Sequence, residues 1–296
     1  MGGFGRGGSG ERALARVVGA TVAEAGCREL VCLGGGVALN CSANGALLAS
    51  RVAERVWVFP ASGDAGLAVG AALLCAAEQG EPVRDKLERA YWGPDCGRAA
   101  CEAALRDEAR VAVCDVRGSL AETVAQALAD GKIVGVCRGR MEFGPRALGN
   151  RSILADSRRV EIRDRVNRLK GRELWRPLAP AVPAERAGEF FELRHESPFM
   201  LLRADVKTSV RALIPGAVHV DGSARPQTVT REQNEFYYDL LGRFGEMTGV
   251  PVVLNTSFNV VGEPVVCTPG DAIRSFLAAG LDLLVLGDLL VERRGV

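Results

Sequence analysis

The chain has 296 residues, of which 48% are hydrophobic and 25% charged, and its formal net charge is +1. Such a length suggests two domains. The near-neutral balance, with a pI of about 7.5, argues against the strongly basic face of a nucleic-acid-binding protein, and no apolar run approaches the roughly 18 residues of a membrane helix.

The opening "MGGFGRGGSG" lacks the apolar core of a secretory signal and reads as a flexible glycine-rich leader over residues 1–10. Residues 11–26 carry Leu14, Val17, Val18 and Val22 at helical spacing. "RELVCLGGG" follows as a buried strand running into glycines, then "ALNCSANGALLAS" as a helix and "RVWVFP" as a short strand. "SGDAGLAVGAALLCAAEQG" begins at a turn and becomes a helix of very small residues. Alternating strands and helices predict an α/β unit over 11–80. Residues 81–97, with prolines, glycines and charges, read as a linker.

A second α/β unit is expected over 98–296. Ser119 and Glu122 form a capping box for "LAETVAQALAD", with Gly131 as its C-cap. "KIVGVC" is a strand that delivers the chain into "GRMEFGPRALGNRSILAD". Further on come a helix near 231–247, a strand "PVVLN", the turn "TSFNVVGEP", a helix after Thr268-Pro269 and a final strand "LDLLVLG".

Nine cysteines occur, none in C-x-x-C spacing, so structural zinc is not expected. An odd number of thiols without a secretory signal points to a reducing compartment, the cytoplasm. Lysine is scarce: Lys86, Lys132, Lys170 and Lys207 are the four, against many arginines.

Three constellations carry chemistry. Between Arg138 and Arg176 there are twelve Arg or Lys and five Asp or Glu. A solvated charged face is one reading. The other is a phosphate pocket, because Arg140, Arg146 and Arg151 alternate with Gly, Pro and Asn. Glycine lets backbone N–H groups approach an anion, and arginine offers a planar fork for its oxygens. "LKGRELWRPLAP" adds Lys170, Arg172 and Arg176. The second constellation is Arg225 in "HVDGSARPQTV" with Asn255, Thr256, Ser257 and Asn259 after an apolar strand, which is common turn chemistry or a strand-end ligand site. The third is the loop Gly34, Gly35, Gly36 with Asn40, opening a helix. It is a tight turn or a nucleotide loop, and matches neither a Walker A nor a G-x-G-x-x-G pattern.

Taken together, "LGGGVALNC", "FPASGDAGLAVGAAL", "GRMEFGPRALGNRSILAD", "WRPLAPAV", "DGSARPQTV" and "LNTSFNVVGEPVVCTP" resemble, in order and over most of the chain, the O-carbamoyltransferase family of nodulation-factor and antibiotic-tailoring enzymes. The resemblance implies an α/β protein: part of an actin/hexokinase-like carbamoyl-transfer lobe over 11–80, then a YrdC-like domain with a twisted mixed sheet over 98–296. It implies that ATP, Mg2+ and the co-substrate carbamoyl phosphate yield carbamoyl-adenylate, whose carbamoyl group passes to a hydroxyl of a small molecule such as an antibiotic or sugar. Lys170, Arg176, Arg225 and Ser257 would be the catalytic contacts, Gly34 to Gly36 would line a nucleotide site, and Asp64 would bind a divalent metal such as iron. The family's His-x-x-x-His motif lies well upstream of its glycine loop. Here the 33 residues before Gly34 contain no histidine, and Arg138 replaces an expected glutamine. The expectation is therefore a truncated or split transferase without the first half of the transfer domain, which in the split form a second chain supplies. The alternatives are a stand-alone carbamoyl-adenylate synthase and a non-catalytic nucleotide-binding remnant.

Overall fold

The structure, a computed structural model, describes residues 8–82, 87–116 and 120–295. The first lobe contains α1 (Ser9–Ala25), β1 (Leu30–Leu33), α2 (Cys41–Ala49), β2 (Arg55–Val58) and α3 (Ala65–Glu78). β1 and β2 pair in parallel as a two-stranded sheet, the connection a strand–helix–strand unit requires. A 3₁₀ turn, Gly36–Leu39, leads from the glycine loop into α2. The capping box predicted at Ser119 lies outside the described residues. At the other end of that helix, Gly131 adopts φ +85, as expected of a helix stop.

The second unit contains α4 (Arg98–Leu105), β3 (Val111–Asp115), α5 (Leu120–Ala129), β4 (Val134–Cys137), β5 (Arg151–Asp156), α6 (Val160–Leu169), β6 (Ala179–Pro183), α7 (Ala187–Phe190), β7 (Ala204–Asp205), β8 (Ser223–Ala224), β9 (Gln227–Val229), α8 (Glu235–Thr248), β10 (Val253–Ser257), α9 (Pro269–Ala279), β11 (Leu283–Leu286) and β12 (Leu289–Arg293). Eight strands form a mixed sheet in the order β3-β12-β11-β4-β5-β10-β6-β9. β4 with β11 and β6 with β9 run parallel, and the other neighbours run antiparallel.

Period-two alternation sends Leu154, Leu283 and Val285 to one face, against Val124 and Leu128 of α5 and Leu240, Leu241 and Phe244 of α8. Ile153, Ala155, Leu284 and Leu286 face the other way, toward Val166 of α6 and Ile273 and Phe276 of α9. Helices cover both faces, so β4, β11 and the middle of β5 are apolar on both sides, as in sheets buried on both faces.

The lobes are joined by a third apolar cluster, in which Leu47, Val56 and Val58 meet Leu148, Ala179, Phe199 and Leu202. Asn44, fully buried, donates to the carbonyls of Ala38 and Leu201, both at 2.8 Å. Gly45 lies so close to the Arg203 backbone that a β-carbon has no room. The second half of the segment read as a linker is built into this junction. Gly93 N–H donates to Met141 O at 2.9 Å, Met141 N–H to Pro94 O at 2.9 Å and Cys96 N–H to Gly139 O at 3.1 Å.

α3 is different. None of its residues is buried, and Leu67 and Leu74 are 71% and 62% exposed. No helix among the described residues is long and apolar enough to cross a membrane.

Candidate functional site

The site begins where α6 stops. Lys170 is the residue after the last turn, and Gly171 follows at φ +57, pressed against Val261 so that no β-carbon fits. This turn drives the Lys170 side chain inward, where the residue is 2% exposed. Its ammonium donates to the carbonyl of Ser257, to the carbonyl of Asn259 at 2.9 Å and to Asn259 Oδ1 at 2.8 Å. Ser257 ends β10, and its hydroxyl donates to the same Oδ1 at 2.7 Å. Asn259 in turn donates to Glu263 O at 3.0 Å, closing the turn. Burial first, and then the Arg172 guanidinium, push the Lys170 pKa down to about 7. The three acceptors favour the charged form and oppose that shift.

Arg225 follows β8, and burial with the guanidinium groups of Arg146 and Arg172 lowers its pKa to about 10, against a raising effect from Cys41. Burial also lowers Arg146, and lowers Arg172 with help from Arg176. Among the described residues no carboxylate lies within ion-pair distance of Lys170, Arg146, Arg172 or Arg225. Cations that repel their neighbours and lack counter-charges oppose folding, which makes these four residues candidates for holding an anion. Arg176 sits at the rim, half exposed, with its Nε 3.6 Å from Glu173.

The loop bearing Arg146 is preformed by buried polar groups. Glu142 Oε1 accepts from the N–H groups of Leu148 at 2.7 Å, Asn150 at 2.8 Å and Arg151 at 3.3 Å. Burial raises the Glu142 pKa, and these N–H donors pull it back. Asn255 donates to Ala147 O at 3.3 Å and to Gln227 Oε1 at 2.9 Å, and Gln227 donates to Leu148 O at 2.8 Å. Asn255 thus holds the loop from beneath and is 1% exposed. Neither Glu142 nor Gln227 stands out in the sequence; a lone Glu between Met and Phe gives no sign of its three backbone partners.

Other predicted residues take other places. Arg151 is fully buried, and its guanidinium donates to the carbonyls of Cys267, Arg138, Gly139, Asn150 and Pro94. It clamps three chain segments together. Arg140 is exposed and donates to Trp92 O at 2.9 Å. Thr256 lies in β10 opposite Ile153 and is half-buried. Gly34, Gly35 and Gly36 are exposed after β1, and Gly35 adopts φ +88. Asn40 caps α2, accepting from the N–H groups of Ser42 at 3.1 Å and Ala43 at 3.2 Å.

Arg146 Nη2 donates to Leu39 O at 3.4 Å, so the turn after the glycine loop touches the cationic loop. Asp64 is exposed at the start of α3, with no side-chain hydrogen bond to the helix. The described residues gather no group of three His, Cys, Asp or Glu side chains placed to hold a metal ion. Asp64 alone does not fit a resident iron.

Residues 125–293 match the family described as Carbamoyltransferase C-terminus, and residues 10–73 that described as Carbamoyltransferase N-terminus. The chain is 46% identical over 271 residues to nodulation protein NolNO of Sinorhizobium fredii, covering 88% of this chain and 39% of that protein. It is 45% identical over 271 residues to nodulation protein NolO of Bradyrhizobium diazoefficiens, covering 89% and 49%. The chain thus spans less than half the length of these two relatives. Among solved structures, full-length HypF in the phosphate- and nucleotide-bound form aligns with a TM-score of 0.41 at 18% identity, over 56% of this chain and 24% of that chain. Sua5 of P. abyssi complexed with L-threonine aligns with a TM-score of 0.41 at 16% identity, over 56% and 46%.

Proposed function

The chain belongs to the carbamoyltransferase family, and from that premise we propose that it binds ATP and carbamoyl phosphate at the Lys170–Arg225 pocket and forms carbamoyl-adenylate for transfer to a hydroxyl of a small molecule. The observation that carries this reading is a chain of cations that act on one another, Lys170 with Arg172, Arg172 with Arg225 and Arg225 with Arg146, next to the turn in which Lys170 meets Ser257 and Asn259.

The chemistry follows from charge. Both reactants are polyanions, and their repulsion opposes approach. Fixed cations in a water-poor pocket offset that repulsion more strongly than the same charges in solvent. A carbamate oxygen attacks the α-phosphorus of ATP and pyrophosphate leaves. For atoms to balance, carbamoyl phosphate must give up its phosphate with uptake of one water. Lys170 is a compact donor beside the Ser257 hydroxyl, while Arg225 and Arg146 can each hold two phosphate oxygens. Mg2+ would arrive with the ATP phosphates.

Transfer to the acceptor is assigned to the first lobe. Its glycine loop adjoins Arg146 through Leu39, which supports a short path between the two steps. The remaining metal ligands would come from a further segment or a second chain.

The test is incubation of the purified chain with MgATP, with and without carbamoyl phosphate, and detection of pyrophosphate. Release that requires both compounds supports the reading. If neither ATP nor carbamoyl phosphate binds and no pyrophosphate forms, the pocket is not a carbamoyl-adenylate site. Accumulation of carbamoyl-adenylate without any ester on a polyol acceptor would favour the narrower reading, a synthase that feeds a partner.

A further inference from the structure

A cationic floor accounts for phosphates but not for the rest of a nucleotide. Immediately after Lys170 and Arg172 the chain makes a turn that puts Trp175 on the surface, 70% exposed, with Leu174 40% exposed beside it. This turn is pinned. Asn167, fully buried on α6, donates to the carbonyls on both sides of the tryptophan, Leu174 O at 3.2 Å and Arg176 O at 2.9 Å. Arg176 N–H also returns to Glu173 O at 3.1 Å. Asn167 thereby fixes the backbone on both sides of an exposed indole.

Val261, 65% exposed, lies in the neighbouring turn after β10, which touches Gly171. The two turns that deliver Lys170 and its partners Ser257 and Asn259 therefore carry apolar groups on their outer side. A charged floor with an aromatic rim complements a molecule that is anionic at one end and flat and apolar at the other.

From this arrangement we infer that Trp175 is the base-stacking residue of the site, its indole lying against the adenine while the cations hold the phosphates. The inference rests on the nucleotide reading of the pocket. Stacking on an aromatic side chain is sequence-tolerant and contributes a 5- to 150-fold gain in binding per base. Arg172 and Arg176 lie within three residues of Trp175 in the chain, so one short segment carries groups for both base and phosphate. The base contact then sets preference for a nucleotide over inorganic polyphosphate.

The experiment compares two probes on the full chain. Binding of ATP and of inorganic tripolyphosphate is measured calorimetrically for wild type, Trp175→Ala and Trp175→Phe, and tryptophan fluorescence is followed alongside. The expected result is a 5- to 150-fold loss of ATP affinity in Trp175→Ala, near-complete retention in Trp175→Phe, and unchanged tripolyphosphate affinity in both. ATP should quench wild-type fluorescence, and the quench should vanish in Trp175→Phe although Trp57 and Trp92 remain. Equal ATP affinity in wild type and Trp175→Ala would overturn the stacking role. Equal loss of ATP and tripolyphosphate would also overturn it, by showing that Trp175 shapes the floor. If wild type binds neither probe, the nucleotide reading itself fails.

Discussion

Replacing Lys170 by methionine separates the charge at the centre of the pocket from its packing. The methionine keeps the apolar stem of a side chain that is 2% exposed and removes the ammonium. A fall in pKa from 10.5 to about 7 corresponds to about 5 kcal/mol of penalty on the charged form. The folded-state pKa lies below the unfolded one. Below pH 7 both states carry the proton and the penalty is present in full; above about 10.5 both are neutral and it is gone. Wild type should therefore gain stability relative to Lys170→Met by about 3 kcal/mol as pH rises from 7 to 9.5.

Urea denaturation of both proteins across that range measures the difference, and subtraction cancels the titration of other groups. Tripolyphosphate should reverse the trend in wild type, since an anion restores the ammonium, and binding at pH 8.5 should take up a proton that Lys170→Met does not take up. A stability difference that stays flat from pH 7 to 9.5 would refute the argument. It would mean that the oxygens of Ser257 and Asn259 hold the ammonium at its ordinary pKa and that the pocket needs no anion.

Other substitutions distinguish the pocket from its supports. Arg225→Ala should cost about 10- to 150-fold in ATP-dependent pyrophosphate release, the worth of a charge-assisted hydrogen bond, whereas Arg159→Ala, an exposed residue near Asp156, should stay within about twofold; equal losses would make the segment a diffuse field. Arg176→Lys should recover less than half of what Arg176→Ala loses, because it keeps the charge without the fork, and full recovery in the same assay would remove the bidentate role. Glu142→Ala should lower stability by about 3 kcal/mol in urea denaturation, leaving three N–H groups without their acceptor, while Glu142→Gln retains the acceptor and flattens the decline in stability expected as pH rises through the raised Glu142 pKa. Leu74→Arg on α3 should change the unfolding free energy by no more than about 0.5 kcal/mol, and a larger loss would show that this face is covered.

How much of this was readable beforehand differs between elements for physical reasons. α1, α9 and the strands β4, β10 and β11 follow from periodicity and caps, because their residues meet one environment per face. β5 was hidden in the arginine segment. All six of its residues are buried, including Arg151, Ser152 and Asp156, and polar residues at a strand's ends erase the apolar run by which a buried strand is known. α6 was hidden as well, because five charged residues fall within ten and its anchor, Asn167, is polar.

Residue type alone could not sort the arginines, since the same side chain serves two opposite purposes. Arg151 is buried and surrounded by carbonyl oxygens, so its charge is spent on joining the segments at Pro94, Gly139 and Cys267. Arg225 and Arg146 meet other cations instead. A guanidinium ringed by oxygens is satisfied without a ligand, and one that faces its own kind is not. That difference in neighbours, invisible along the chain, is what separates the structural clamp at Arg151 from the arginines proposed to hold an anion.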